Sequence, residues 1–189
     1  RDIDLADVVR EVMKDLAFYQ ESGGGVTVSG GEPLSQGPFT RELLSALKNQ
    51  GVHTAVETSG FGARKTLEAL LPVVDLFLFD IKSVDPQKHL QLTGVSNQLI
   101  LSNLDYLSSR NAHVELRCPL IPGLNDSDED LAALAQLVAD HPSLDAVTLL
   151  PYHNTGNDKY KRYSLSNPLP DLASAGQAER ERWRTAFAG

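Results

Sequence analysis

Short apolar segments alternate with amphipathic helical stretches along most of this sequence, and the alternation restricts the fold more than any other feature. Helices are predicted over residues 39–48 and 65–71, each between two segments with the continuous apolar character of a buried strand. A helix between two strands returns the chain to the same end of a sheet, so consecutive strands pair in parallel. The sequence therefore predicts an α/β fold with a parallel sheet, open or barrel-like. Five strands are predicted, over residues 25–28, 53–57, 76–81, 114–118 and 146–150.

The length of the chain fits one domain. Its 189 residues, 41% of them hydrophobic, are enough for one core but a little short for a complete eight-unit barrel. An amphipathic helix is predicted over residues 5–19, ended by Ser22 and the glycines after it. From Pro151 onward the sequence is more polar, which predicts a long loop and then a terminal helix from about Leu172. We expect a single domain over residues 1–189, with residues 152–189 as its C-terminal loop and helix.

Charge and cysteine content restrict the partners and the compartment. The formal net charge of -8 leaves no basic excess to neutralise nucleic acid or an anionic membrane surface, and no apolar run is long enough to span a bilayer. The single cysteine, Cys118, excludes a disulfide framework, and its position in an apolar strand beside Pro119 predicts a buried, inert thiol. We therefore expect a cytoplasmic protein that binds small molecules or other proteins, and neither nucleic acid nor membranes.

Polar and charged residues stand where each predicted strand ends. The carboxyl ends of parallel strands meet on one rim of the sheet, so these side chains are expected to converge although they are distant in sequence. A rim of exposed backbone amides, carboxylates and a few cations suits a zwitterionic ligand with a sugar better than a phosphate. The residues are Gly30, Gly31 and Glu32 after the first strand, Glu57 and Thr58 at the second, Asp80, Ile81 and Lys82 at the third, Arg117 in the fourth and His153 after the fifth.

Taken singly, these motifs also have purely structural interpretations. Gly30 and Gly31 let the backbone approach a ligand or take a positive φ, and Glu32 can accept hydrogen bonds from an ammonium group. A tight turn with a solvated glutamate explains the same three residues about equally well. Asp80 and Lys82 could bind ribose hydroxyls or a cation, or they could form a structural ion pair.

Six blocks of sequence, in a fixed order, carry more information than any one motif. The blocks are residues 22–33 with Ser29-Gly30-Gly31-Glu32-Pro33, 57–61 with Glu57-Thr58-Ser59-Gly60-Phe61, 80–82, 94–97, 122–126 with Pro122-Gly123-Leu124-Asn125-Asp126, and 149–153 with Pro151-Tyr152-His153. Together the six blocks resemble the pyruvate formate-lyase activating enzymes, which are radical S-adenosylmethionine (SAM) enzymes that activate glycyl-radical enzymes, and the resemblance covers most of the chain. One Gly-Gly-Glu-Pro block alone would be weak, because it is common to many radical SAM enzymes.

The resemblance implies a fold and a missing part. The fold is a partial (β/α)6 TIM-like barrel of parallel strands, of which this chain lacks the first strand and the cluster-binding loop. The family's Cys-x3-Cys-x2-Cys loop, which holds a [4Fe-4S] cluster, would precede Arg1, and one cysteine cannot replace it. We therefore expect no catalytic cluster ligand within the chain and no radical chemistry from these residues alone.

The resemblance also implies roles for residues of the rim. Gly30, Gly31 and Glu32 would receive the methionyl amino group of SAM. The segment Asp80-Ile81-Lys82 would contact the ribose. Taken alone, the His153 imidazole could bond to a ligand or make local hydrogen bonds. By the resemblance it would lie against the nucleoside, and Arg117 would be close to the cofactor.

A monovalent cation beside the cofactor's carboxylate is a further implication of the resemblance. Its ligands would be Glu57, Thr58, the Leu78 carbonyl and Asp80. Glu57 stands where an aspartate is usual in the family.

The activity implied by the resemblance is that of an oxidoreductase of the formate-lyase activating type. The reduced cluster cleaves SAM to a 5'-deoxyadenosyl radical, which removes a hydrogen atom from a glycine of the partner. The partner would be a glycyl-radical enzyme such as pyruvate formate-lyase, and the electron donor a protein such as flavodoxin. Partner specificity is expected in the loops over residues 83–93 and 153–167.

Two other classes of function stay open on the sequence. A Schiff-base barrel enzyme would use Lys82 as nucleophile, with Glu57 or Asp80 as acid and base. A non-enzymatic module would bind SAM or a glycyl-radical enzyme without a cluster. Trp183, in the terminal helix, could pack on the core or on a missing segment, and core packing is the expectation.

Overall fold

The sheet contains five parallel strands in the order β1-β2-β3-β4-β5, as the alternating pattern predicts. The computed structural model describes residues 4–154 and 172–187. Within that part of the chain, β1 and β5 each pair with one neighbour, so the sheet is a partial barrel that does not close. The strands are Gly25–Val28 (β1), His53–Thr58 (β2), Leu76–Asp80 (β3), Val114–Leu120 (β4) and Ala146–Pro151 (β5).

Helices connect the strands and begin where local chemistry favours a helix start. Asp85 caps one helix by accepting the Lys88 N–H, with Pro86 at the first position, and Ser127 and Asp130 form a capping box at another. Short 3-10 turns lie at Met13–Asp15, Pro33–Gln36 and Leu71–Val73. The helices are Leu5–Val12 (α1), Leu16–Ser22 (α2), Gly37–Lys48 (α3), Arg64–Leu70 (α4), Pro86–Thr93 (α5), Gln98–Ser109 (α6), Asp128–Asp140 (α7) and Gln177–Ala186 (α8).

Two helix predictions differ from the structure. The single helix expected over residues 5–19 is divided by the 3-10 turn Met13–Asp15, although its apolar side chains still pack on one cluster around Leu43 and Leu47. The terminal helix begins at Gln177 and not near Leu172, because Gly176 is its extended N-cap residue. The predicted loop over residues 83–93 contains α5, whereas most of the predicted loop over residues 153–167 lies outside the described residues.

The strands present alternate side chains to two different environments. Val56, Phe77, Phe79 and Leu116 are buried against the helices in the main apolar cluster. The intervening positions face away from the helices, since successive side chains of a strand point to opposite faces. We call this second surface the open face, defined by Glu57, Leu78, Asp80, Glu115, Arg117 and Thr148, all only partly buried.

The C-terminal helix α8 packs on the core, as expected for Trp183. The Trp183 side chain is 1% exposed and lies among Leu120, Leu131 and Ala175. Its indole N–H donates to Asp126 Oδ2 at 3.0 Å, so the one polar atom of the ring is satisfied. Among residues 4–154 and 172–187, no helix combines the length and the apolar character needed to cross a membrane.

Candidate functional site

The carboxyl ends of β1 to β4 bring five polar side chains into one row across the open face. Ser29 Oγ donates to Glu57 Oε2 at 2.9 Å. Arg117 bridges two carboxylates, with NH1 3.2 Å from Glu57 Oε1 and Nε 3.5 Å from Asp80 Oδ1. Lys82 Nζ completes the row by donating to Asp80 Oδ2 at 2.9 Å. The predicted convergence of the strand ends is therefore present for these residues.

The strand register explains which of these groups meet. Glu57 of β2 lies opposite Leu78 of β3, and Asp80 of β3 lies opposite Arg117 of β4. Glu57 and Arg117 are thus separated by a whole strand, roughly 10 Å from β2 to β4 at about 4.8 Å per strand. Two long side chains are needed to cover that distance.

The turn after β1 takes the conformation that its two glycines predict. Gly30 has φ 84° and Gly31 has φ 44°, in the left-handed region that glycine occupies without strain. A Cβ at either position would meet no atom of the described residues within 4 Å, so these residues leave space above the turn. The backbone of this turn is therefore accessible to a ligand.

Glu32 is engaged with the protein itself. Its Oε1 accepts the Leu34 N–H at 3.0 Å and the Thr58 hydroxyl at 2.6 Å. Its Oε2 accepts the backbone N–H and the hydroxyl of Ser59, at 2.9 and 2.6 Å. These four donors match the roughly four acceptor positions of a carboxylate. An ammonium group could bind Glu32 only by displacing one of them, which leaves the backbone of Gly30 and Gly31 as the more accessible acceptor.

Asp80 holds an acceptor that the protein does not satisfy. Among the described residues, Asp80 Oδ1 is the buried side-chain oxygen or nitrogen atom that lacks a hydrogen-bond partner. Its contact with Arg117 Nε, at 3.5 Å, is an ion pair that is long for a hydrogen bond. A buried, unpaired acceptor is costly unless a ligand donates to it, so this oxygen has the capacity to accept a hydrogen bond from a ligand on the rim.

The remaining predicted site residues are less central. The Ile81 side chain is 2% exposed in the core, and its N–H donates to the Arg117 carbonyl, so its own carbonyl is the group left for a ligand. The Thr58 hydroxyl is committed to Glu32 and accepts the Gly60 N–H. His153 is exposed and follows β5, where the N–H and carbonyl of Tyr152 are bonded to Leu120 and Ala175.

Cys118 is the inert thiol that the sequence predicts. Its side chain is fully buried on the helix-facing side of β4, and burial raises its pKa to about 12, with the negative charge of Asp80 adding to the shift. Among the described residues, no group of three or more histidine, cysteine or acidic side chains is arranged to hold a metal ion. The residues of this chain therefore fit a polar ligand on the rim but do not include the thiolates of an iron-sulfur cluster.

Sequence reasoning assigned no role to Asn125, which holds the rim together. Its Oδ1 accepts the Ile121 N–H, and its Nδ2 donates to the carbonyls of Lys82 and Pro119, at 2.7 and 2.8 Å. It therefore ties the segment after β3 to the segment after β4. The available signal was an asparagine just after the turn residues Pro122 and Gly123, a common place for side-chain-to-backbone bonds.

Comparisons with known proteins agree with this geometry. The radical SAM superfamily profile matches residues 1–135. The choline trimethylamine-lyase activating enzyme of Oleidesulfovibrio alaskensis is 39% identical over 181 residues, which cover 94% of this chain and 58% of that protein. The trans-4-hydroxy-L-proline dehydratase activating enzyme of Clostridioides difficile is 42% identical over 185 residues, which cover 97% of this chain and 61% of that protein. The chain thus spans about three fifths of these relatives.

Two further comparisons concern pyruvate formate-lyase activating enzymes. That of Staphylococcus aureus is 38% identical over 178 residues, covering 91% of this chain and 71% of that protein. A solved domain from the Bacteroides vulgatus enzyme superposes with a TM-score of 0.73 at 27% identity, covering 87% of this chain and 92% of that domain. The radical SAM family uses SAM and a [4Fe-4S] cluster. The chain belongs to the radical SAM superfamily and, within it, to the activating enzymes of glycyl-radical enzymes.

Proposed function

We propose that the rim of this chain binds SAM in an enzyme that installs a glycyl radical in a partner enzyme. The observation that carries the proposal is Asp80 Oδ1, a buried acceptor on the open face that no donor among the described residues satisfies. A ribose hydroxyl is a donor of the required kind. The neighbouring row of two carboxylates and two cations suits a ligand that is itself zwitterionic.

Each residue of the rim has a proposed part in holding this ligand. Asp80 and Lys82 hold the ribose, and the backbone of Gly30 and Gly31 accepts from the methionyl amino group. His153 lies against the nucleoside. Arg117, at the centre of the row, offsets the negative charge of the Glu57 and Asp80 carboxylates. Beside a reduced [4Fe-4S] cluster, bound SAM would take one electron and would supply a 5'-deoxyadenosyl radical together with methionine, and the cofactor rather than the protein would carry that chemistry.

The partner is a glycyl-radical enzyme in this proposal, and pyruvate formate-lyase is the first to test. Relatives named for five different partners share the family, and the rim motifs are those that hold the common cofactor.

The proposal also includes a cytoplasmic location for the protein and an electron donor such as flavodoxin. One domain over residues 1–189, with residues 152–189 as C-terminal loop and helix, is the arrangement we propose for the chain.

The Schiff-base alternative receives no support from the rim. Lys82 Nζ donates to Asp80 Oδ2 at 2.9 Å, so the amine is engaged in an ion pair and is not held free to attack a carbonyl group. The binding-module alternative is decided by whether the protein in its native length acquires a cluster.

The test is anaerobic reconstitution of the native-length protein with iron and sulfide, followed by electron paramagnetic resonance. We expect a reduced [4Fe-4S] signal that changes when SAM is added, and formation of 5'-deoxyadenosine. Asp80→Asn should weaken the SAM-induced change, because an amide replaces the unpaired carboxylate. Asp145→Asn is the matched control, since Asp145 is exposed beside His113 at the opposite end of the strands. A native-length protein that binds no cluster would move the assignment to a binding module.

A further inference from the structure

The four charged side chains of the row that crosses the open face form a neutral set, apart from Glu115, which accepts from the Thr148 hydroxyl. Glu57 and Asp80 contribute two negative charges, and Arg117 and Lys82 contribute two positive charges. All three contacts among them are short enough for ion pairs: 2.9 Å for Lys82–Asp80, 3.2 Å for Arg117–Glu57 and 3.5 Å for Arg117–Asp80. The charges are partly shielded from water, with side-chain exposures between 15% and 36%. Partial burial keeps such pairs less screened than surface pairs.

Arg117 contacts the two carboxylates that a monovalent cation at this site would need as ligands. Its guanidinium group contacts both carboxylates, Glu57 and Asp80, that would be the anionic ligands of that cation. A second positive charge between them would be repelled by Arg117 and would face a set that is already neutral. The Thr58 hydroxyl is turned to Glu32 and is not a free ligand. The side chains present therefore do not fit an added cation.

The length of the Glu57 side chain allows its carboxylate to reach Arg117. Its carboxylate reaches Arg117, which lies beyond the whole of β3, while its other oxygen accepts from Ser29. An aspartate, one methylene shorter, would leave a gap between the carboxylate and the guanidinium group.

We infer that Arg117 is the built-in counter-ion of this site, so that SAM binds without a monovalent cation. The inference rests on the proposed function, because it concerns how the same rim holds the same cofactor. Glu57 acts here as a positioning residue that holds the guanidinium group over Asp80.

The test is the dissociation constant of SAM, measured by calorimetry on the native-length, cluster-loaded protein. Titrations are compared in potassium, sodium and tetramethylammonium chloride at equal ionic strength, since tetramethylammonium cannot enter a small oxygen-lined site. The wild-type affinity is expected to agree in the three salts to within about twofold. Glu57→Asp is expected to bind SAM at least about tenfold more tightly in potassium than in tetramethylammonium, because the gap to Arg117 then admits an ion.

Glu68→Asp is the matched control, since Glu68 is an exposed residue of α4, and it should behave as the wild type. Circular dichroism melts establish that both variants fold. A wild-type protein that needs potassium or sodium for tight binding would overturn the inference and leave the proposed function in place. Absence of SAM binding in all three salts would instead overturn the proposed function itself.

Discussion

Glu32 and Ser59 are joined by two hydrogen bonds to one oxygen atom, because the backbone N–H and the hydroxyl of Ser59 both donate to Glu32 Oε2. The other oxygen accepts from Leu34 and Thr58. The turn after β1 is thereby fastened to the turn after β2. These are the two turns that flank the proposed position of the methionyl group, so their relative placement decides the shape of the rim.

Glu32→Gln should separate these turns. A glutamine amide keeps one acceptor oxygen but presents N–H groups to the donors on its other side, leaving at least one buried donor unpaired. We expect the free energy of unfolding to fall by about 1–3 kcal/mol, measured by urea denaturation. The SAM affinity of the native-length protein should fall at least about tenfold. Glu42→Gln, at an exposed position of α3, is the control, and equal behaviour of the two variants would refute this role for Glu32.

Asn125→Asp should loosen the opposite side of the rim. The new carboxylate would place an oxygen against the carbonyls of Lys82 and Pro119, where the amide now donates. The expected loss in free energy of unfolding is about 1–3 kcal/mol at pH 7. Asn111→Asp, an exposed turn residue with φ 50°, should have little effect, because aspartate also tolerates this conformation. Identical melting curves for the two variants would show that the Asn125 bonds are dispensable.

Asp75 should make the fold less stable in acid. Burial alone would raise the pKa of its carboxyl group, but hydrogen bonds from Lys48 and Thr54 together lower the pKa below its ordinary value of 3.8. A lowered folded-state pKa means that the carboxylate stabilises the fold above about pH 3.8 and that this contribution is lost as the pH falls through the folded-state pKa.

Replacing Asp75 tests this pH dependence directly. Asp75→Asn should lower the free energy of unfolding at pH 7 by about 1–3 kcal/mol. Between neutral pH and about pH 3, the free energy of unfolding of this variant should fall less steeply than that of the wild type. Denaturant titrations across that range give the measurement. Asp7→Asn, which removes only an exposed pair with Arg10, should keep the wild-type slope. A wild-type slope in Asp75→Asn would contradict the assignment.

Cys118 should resist alkylation in the folded protein. Its thiol is fully buried, and a pKa of about 12 leaves almost no thiolate at neutral pH. Iodoacetamide at pH 8 should modify it only after denaturant is added, as read by intact mass. Rapid modification of the native protein would mean that β4 opens far more readily than its burial indicates.

The arrangement of the sheet was predictable because its signals are local. The apolar runs, the helices between them and the glycines at Gly30 and Gly31 each depend on neighbouring residues, and the five strands were confirmed with ends that differ by no more than two residues. The division of the first helix at Met13–Asp15 was not predicted, since its apolar spacing continues across the break.

The sequence by itself determined the parallel α/β sheet, the convergence of the strand ends and the inert cysteine, because periodicity and residue type suffice for each. Only the tertiary structure decided which charges meet. The pairing of Glu57 with Arg117 depends on the register of three strands and on the length of two side chains. The hydrogen bonds that Thr58 and Ser59 donate to the Glu32 carboxylate join positions more than twenty residues apart. Such contacts carry no local signal, so the folded chain alone specifies them.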